Sequence, residues 1–203
     1  MRFDVRIAAV FIVVALTGFY WGQGSVPSGQ PALIGLFQDN EPFVTDYRVK
    51  DADCRADGPY PDHECTPGAV FPDVTAGQVC VSGYSKTVRK VSESLKKRVY
   101  RSYDIAYPPP FGSYELDHFI PLSLGGNNDI ANLWPFAAEP RPGFIEKDLV
   151  VNYLRQNVCG GGMTLQAAQR AIATYWVQVY ESIDASEKAE LKKLYPSWAE
   201  IRR

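Results

Sequence analysis

The stretch ELDHFIPLSLGGNNDIANLWP at 115–135 constrains this chain more than any other. Residues 114–122 have the aromatic and branched content of a strand, and 130–134 can return as a second. Between them, Gly125, Gly126, Asn127, Asn128 and Asp129 supply turn chemistry, which makes a hairpin with a long loop. A lone hairpin is marginal in water, so other elements must cover it. YPPP at 107–110 stops any preceding helix. Upstream, Val88, Val91, Leu95 and Val99 recur at three- and four-residue steps and predict an amphipathic helix over 85–101. Downstream, 144–158 predicts a helix with Val150, Val151, Leu154 and Val158 on one side and Asp148, Asn152 and Arg155 on another. A further helix is expected over 165–183, with Leu165, Ala168, Ile172, Trp176 and Val179 as its buried stripe and Thr164 as N-cap, and a short one after Ser186. Helix, hairpin, helices is an α+β order.

With 203 residues, 46% of them hydrophobic, the chain can bury one good core. Residues 7–22 are uncharged and mostly apolar, preceded by Arg2 and Arg6 with only Asp4 opposing. That pattern reads as a signal peptide or a membrane anchor within residues 1–24. The run falls a little short of the ~20 residues that span a bilayer, yet Phe19, Tyr20 and Trp21 suit an interfacial belt. Either form exports the rest of the chain, with periplasmic, secreted and outward-facing anchored placements all open; a buried core helix is the competing reading. Residues 25–62 turn to Gly, Pro, Ser and Asp without sustained periodicity and read as a flexible linker, leaving 63–203 as the folded domain.

Four cysteines in an exported chain favour two disulfides. Three pairings are possible, of which Cys54 with Cys65 and Cys80 with Cys159 is the simplest. A zinc site using His63 beside Cys65 is the competitor, although the spacing matches no common finger or ribbon.

A net charge of −2 excludes a protein that clings to nucleic acid through overall charge. Local charge is another matter. Residues 85–101 hold Lys86, Arg89, Lys90, Lys96, Lys97, Arg98 and Arg101 against Glu93 alone. Such a run is usually a solvated helix face. Facing phosphate, its candidate contacts are Lys86, Arg89, Lys90 and Lys97, with Arg89 the best placed.

The chain has two histidines, and His118 directly follows Asp117. Phosphodiester hydrolysis needs a base to activate water, positive charge for the phosphate, and a group that orients the base. Asp117 offers a hard oxygen ligand, His118 a base, and Asn132 an amide that can arrive across the hairpin. Taken alone, an Asp-His pair on a strand is more often structural.

The surrounding residues add to this. Glu115, Asp117, His118, Ile120, Pro121, Leu122, Gly125, Gly126, Asn132, Leu133 and Pro135 together resemble the first motif of the HNH nuclease family. The segments ECTPG, VCVSGYSKTVR and EKD…VC resemble a bacterial secreted HNH-like group, extending the likeness over about 64–180. The resemblance implies a ββα-metal fold with flanking helices, one divalent cation, and a phosphodiester substrate. It makes His118 the general base, Asp117 a metal ligand and Asn132 the residue that positions the imidazole.

One departure matters: no His follows His118, and Arg155 stands where similar sequences carry a His on the next helix. Arg cannot ligate a cation. Asn152 is therefore the expected second ligand, with Asp148 as runner-up and Glu146 a further candidate, or else the site is inactive. The expectation is an exported endonuclease using Mg²⁺, with no small-molecule cofactor, that cuts DNA and by extension RNA with low sequence specificity. The alternative is a non-catalytic exported HNH scaffold that binds nucleic acid or a protein partner.

Overall fold

The computed structural model describes residues 43–197, and the segment read as a signal peptide or anchor lies outside them. Among the described residues the chain is α+β: seven α-helices and one two-stranded antiparallel sheet. They run α1 (Ala76–Val79), α2 (Tyr84–Val88), α3 (Glu93–Ser102), β1 (Tyr114–His118), β2 (Leu133–Ala137), α4 (Phe144–Cys159), α5 (Leu165–Thr174), α6 (Trp176–Ser182) and α7 (Ala185–Leu194). No helix among them is long and apolar enough to cross a membrane.

The hairpin forms, with a shorter first strand than expected and a second strand displaced three residues downstream. Tyr114 pairs with Ala137, Asp117 with Trp134 and His118 with Leu133. β1 ends four residues before Leu122 because Pro121 has no N–H for a ladder and opens a 3₁₀ turn over Leu122–Leu124. The second strand starts only at Leu133, because Asp129 accepts from the Ala131 N–H (2.8 Å) and starts another 3₁₀ turn, Ile130–Asn132. Pro135 is tolerated inside β2 because a two-stranded sheet leaves each strand one edge without ladder bonds. The long loop is tied to an upstream segment: Phe71 N–H donates to Gly125 O (2.9 Å) and Asn127 N–H to Ala69 O (3.0 Å).

The helix expected over 85–101 is broken. Arg89 leaves helical values (φ −66, ψ 117), and Ser92 caps a new helix by accepting from Leu95 N–H (3.2 Å). The helix expected over 165–183 also breaks, at Tyr175 (φ −136, ψ 20), although Leu165, Ala168, Ile172, Trp176 and Val179 are all buried as expected. Trp176, the first residue past that break, meets Phe136 edge-on at 5.8 Å. α4 is the central helix, with Leu149, Val150, Tyr153, Leu154 and Val158 in the core.

Both disulfides form in the simplest pairing, Cys54–Cys65 and Cys80–Cys159, and no described cysteine is free for zinc. They are the chemistry of chains that mature in an oxidising environment. The linker expected over 25–62 ends earlier than composition suggests. Cys54 is buried and its N–H donates to Ser102 O (2.9 Å), the Val49 N–H donates to Glu64 O (2.9 Å), and the Tyr60 ring lies 6.2 Å from Trp176. A disulfide and scattered aromatics anchor this stretch without any periodic pattern to announce it.

Candidate functional site

The end of β1, the turn at Arg89, and one face of α4 meet at a cavity of about 540 Å³. Strand alternation puts Glu115 and Asp117 on the same face of β1, and helix spacing puts Asp148 and Asn152 one turn apart on α4. All four line the cavity, together with His118 and Arg89. The end of α7 and the residues after it, Leu194 to Ser197, close another wall, where the Ser197 hydroxyl is buried with no partner among the described residues.

His118 is 4% exposed. Its Nε2 lies 3.3 Å from Asn128 Oδ1. The orientation of that amide follows from its other partners: Nδ2 donates to Val88 O (2.8 Å) and Oδ1 accepts from Lys90 N–H (3.0 Å). Oδ1 can only accept, so Nε2 carries the proton and Nδ1 holds the lone pair. Burial pushes the imidazole pKa down to about 4; Asp117 and the Asn128 bond oppose the shift, and Arg89 and Lys147 reinforce it. At neutral pH the ring is uncharged and can accept a proton.

Asn132 does not touch the imidazole, which corrects its expected role. It is fully buried, and its amide accepts from Ile120 N–H and donates to Ile120 O and Asn127 O, each at 2.9 Å. Those three bonds clamp the two ends of the loop that follows His118. The side chain on the imidazole is Asn128, which sequence reading treats only as a turn former.

Lys147 is also absent from the sequence reading. It is 2% exposed and forms an ion pair with Asp117 Oδ2 while donating to His118 O (3.0 Å). Trp134 Nε1 donates to the same Asp117 oxygen at 3.3 Å, so neither contact uses Oδ1. The signal was available: Lys147 stands on the apolar stripe of Val150, Leu154 and Val158, where a charge needs a buried partner.

On α4, Asn152 donates to Asp148 O (2.8 Å) and stays at the cavity, whereas Arg155 Nε donates to Val79 O (3.2 Å) and leaves that face. Glu146 is removed as a ligand candidate, because it accepts from Gly143 N–H (2.8 Å) and pairs with Arg141 at the helix start. Of the four basic residues singled out, the cavity takes only Arg89; Lys86 and Lys90 are exposed nearby in sequence, and Lys97 lies on α3 beside Arg101 in a separate groove. The break at 89–92 is what separates them.

Among the described residues no group of three or more His, Cys, Asp or Glu side chains converges as a metal cage. Asp148 has its pKa raised well above the usual carboxylate range by burial and then by Glu115 and Asp117. Three carboxylates crowd one cavity with Lys147 and Arg89 as the nearby cations. Mg²⁺ typically takes one or two carboxylates and keeps several waters, which such a site can supply without a full protein cage.

No family model, no curated protein and no solved structure matches the chain.

Proposed function

We propose that this chain is an exported, metal-dependent endonuclease of the HNH (ββα-metal) type that hydrolyses DNA, and RNA with it, at low sequence specificity. One observation carries the reading: an uncharged, oriented His118 shares a solvent-reaching cavity with the carboxylates of Asp117 and Asp148 at a hairpin–helix junction.

His118 would take a proton from water at Nδ1, with Asn128 holding the ring and Asn132 holding the loop. General-base catalysis contributes ~10²–10⁴-fold. Asp117 with Asp148 or Asn152 would hold a divalent cation, which would supply positive charge to the phosphate and the leaving oxygen. Lys147 fixes the Asp117 carboxylate, and Arg89 faces phosphate. Phosphate contacts carry no base information, hence the low specificity. The disulfides agree with export through the 1–24 segment as signal or anchor.

The test is nicking of plasmid DNA by the purified full chain with Mg²⁺, with Mg²⁺ plus chelator, and by His118→Ala. Chelator-sensitive nicking that falls at least a hundredfold in a folded His118→Ala protein is expected. No cleavage of plasmid, single-stranded DNA or RNA by the folded wild type would remove the enzyme reading.

The Lys147–Asp117 pair favours a second reading, a non-catalytic exported scaffold that binds nucleic acid or a protein partner. A carboxylate already neutralised by an ammonium gains less from a cation. Nucleic-acid binding without any nicking would select it.

A further inference from the structure

We infer that the substrate path is built for single-stranded nucleic acid, with a base-stacking subsite formed by Tyr107, Phe111 and Tyr114 beside the candidate catalytic cavity; this rests on the nuclease reading above and names its substrate class.

Three hollows adjoin through shared lining residues. The cavity around His118 shares Glu115 and Leu116 with a second hollow of about 300 Å³, lined by Tyr107, Phe111, Tyr114 and Lys96. That hollow shares Tyr107 with a third, which reaches Lys97 and Arg101. A strand leaving His118 therefore meets rings first and cations next.

Phe111 is exposed, and Tyr107 and Tyr114 are half-buried beside it in sequence. Phe111 is 61% exposed on the loop that follows three consecutive prolines, where few backbone conformations are available. Tyr107 is held in place: its ring lies 5.2 Å from Tyr100, and its hydroxyl bonds the Glu93 carboxylate. A fixed ring spends no rotamer freedom when a base settles on it. Lys97 and Arg101 are exposed and have no ion pair among the described residues, whereas Lys96 pairs with Glu93 at 3.6 Å. The phosphate backbone follows the basic α3 side, past Lys97 and Arg101, and leaves the bases to the rings.

Aromatic rings beside a basic groove are how strands are held without base reading. A duplex keeps its bases stacked inside and cannot offer their faces to Phe111 or Tyr107. Single strands, loops and unpaired ends can.

The experiment measures binding of the full chain to a labelled oligo-dT and to a duplex of the same length, with chelator present to block cleavage. Tighter binding of the single strand is expected. Phe111→Ala, at an exposed position, should weaken it about tenfold with an unchanged salt slope. Arg101→Ala should lower the salt slope by about one contact. Equal affinity for strand and duplex, or wild-type affinity in Phe111→Ala, overturns the inference while plasmid nicking can still stand. Binding that depends on Phe111 in a protein that cleaves neither plasmid nor single-stranded DNA or RNA keeps the subsite and removes the nuclease reading.

Discussion

Asn128 joins two parts of the site that the chain separates by some forty residues. Its amide satisfies a carbonyl and an N–H on either side of Arg89 and still reaches the imidazole. Asn128→Ala should therefore cost about 0.5–1.5 kcal/mol, the net worth of a hydrogen bond whose partners water can still reach, and should slow cleavage as well. Chemical denaturation beside a nicking assay checks both; wild-type values in each would show that the amide holds nothing. His118 makes a second prediction. Its folded pKa of about 4 lies below the ~6.5 of an unfolded chain, so above pH ~6.5 neither state takes a proton. As pH falls from ~6.5 toward 4, only the unfolded state binds one, and stability drops on the order of 3 kcal/mol through that window. Unfolding curves with chelator present should show this loss in the wild type and not in His118→Gln; parallel curves would mean that the imidazole is charged when folded. His118 was legible because histidine is scarce in this chain, and Asp117 because it stands beside it. Asn128 was not, since a turn-forming Asn looks the same whether or not it caps a distant segment.

Periodicity located the helices and missed their breaks. Val88, Val91, Leu95 and Val99 keep helical spacing across 89–92, yet Lys90 N–H bonds Asn128 and Ser92 starts a new helix. A tertiary hydrogen bond there outcompetes the i→i−4 bond, which no local pattern records. The hairpin shows the same limit. Gly125 and Gly126 announced a turn, but the strand ends were set by Pro121 and Asp129 and by the Asn132 clamp. Gly126 is required for a closer reason than turn chemistry: a Cβ there would sit 1.7 Å from the Ile120 carbonyl oxygen. The obstruction is the Ile120 peptide carbonyl, backbone with no flexible end to give way. Gly126→Ala should therefore destabilise by about 1–3 kcal/mol and disturb the loop that follows His118. A thermal midpoint within error of wild type would show that the loop can shift without cost.

The whole domain is closed by two bridges of very different reach. Cys54–Cys65 spans 11 positions, while Cys80–Cys159 spans 79 and joins the end of α1 to the end of α4, enclosing the hairpin and the candidate site. Pairing by proximity in sequence made the short bridge legible and left the long one by subtraction; nothing local predicts that α1 and α4 end together. Arg155 adds to that junction from α4 by donating to Val79 O, a position where the sequence suggested a place at the metal site. If bridges act chiefly by restricting the unfolded chain, the long one is worth about 4.5 kcal/mol and the short one about 3. Stability ranks the bridges without saying which of them the site needs; their consequences for cleavage do. Replacing Cys80 and Cys159 together by Ser frees α1 from α4 and should lower both the denaturation midpoint and cleavage. Replacing Cys54 and Cys65 loosens the segment against α3 and Trp176, away from His118, and should lower the midpoint while a folded protein keeps its cleavage. Equal loss of cleavage in both pairs, measured on the folded fraction, would mean that the site depends on the domain as a whole rather than on the α1–α4 junction.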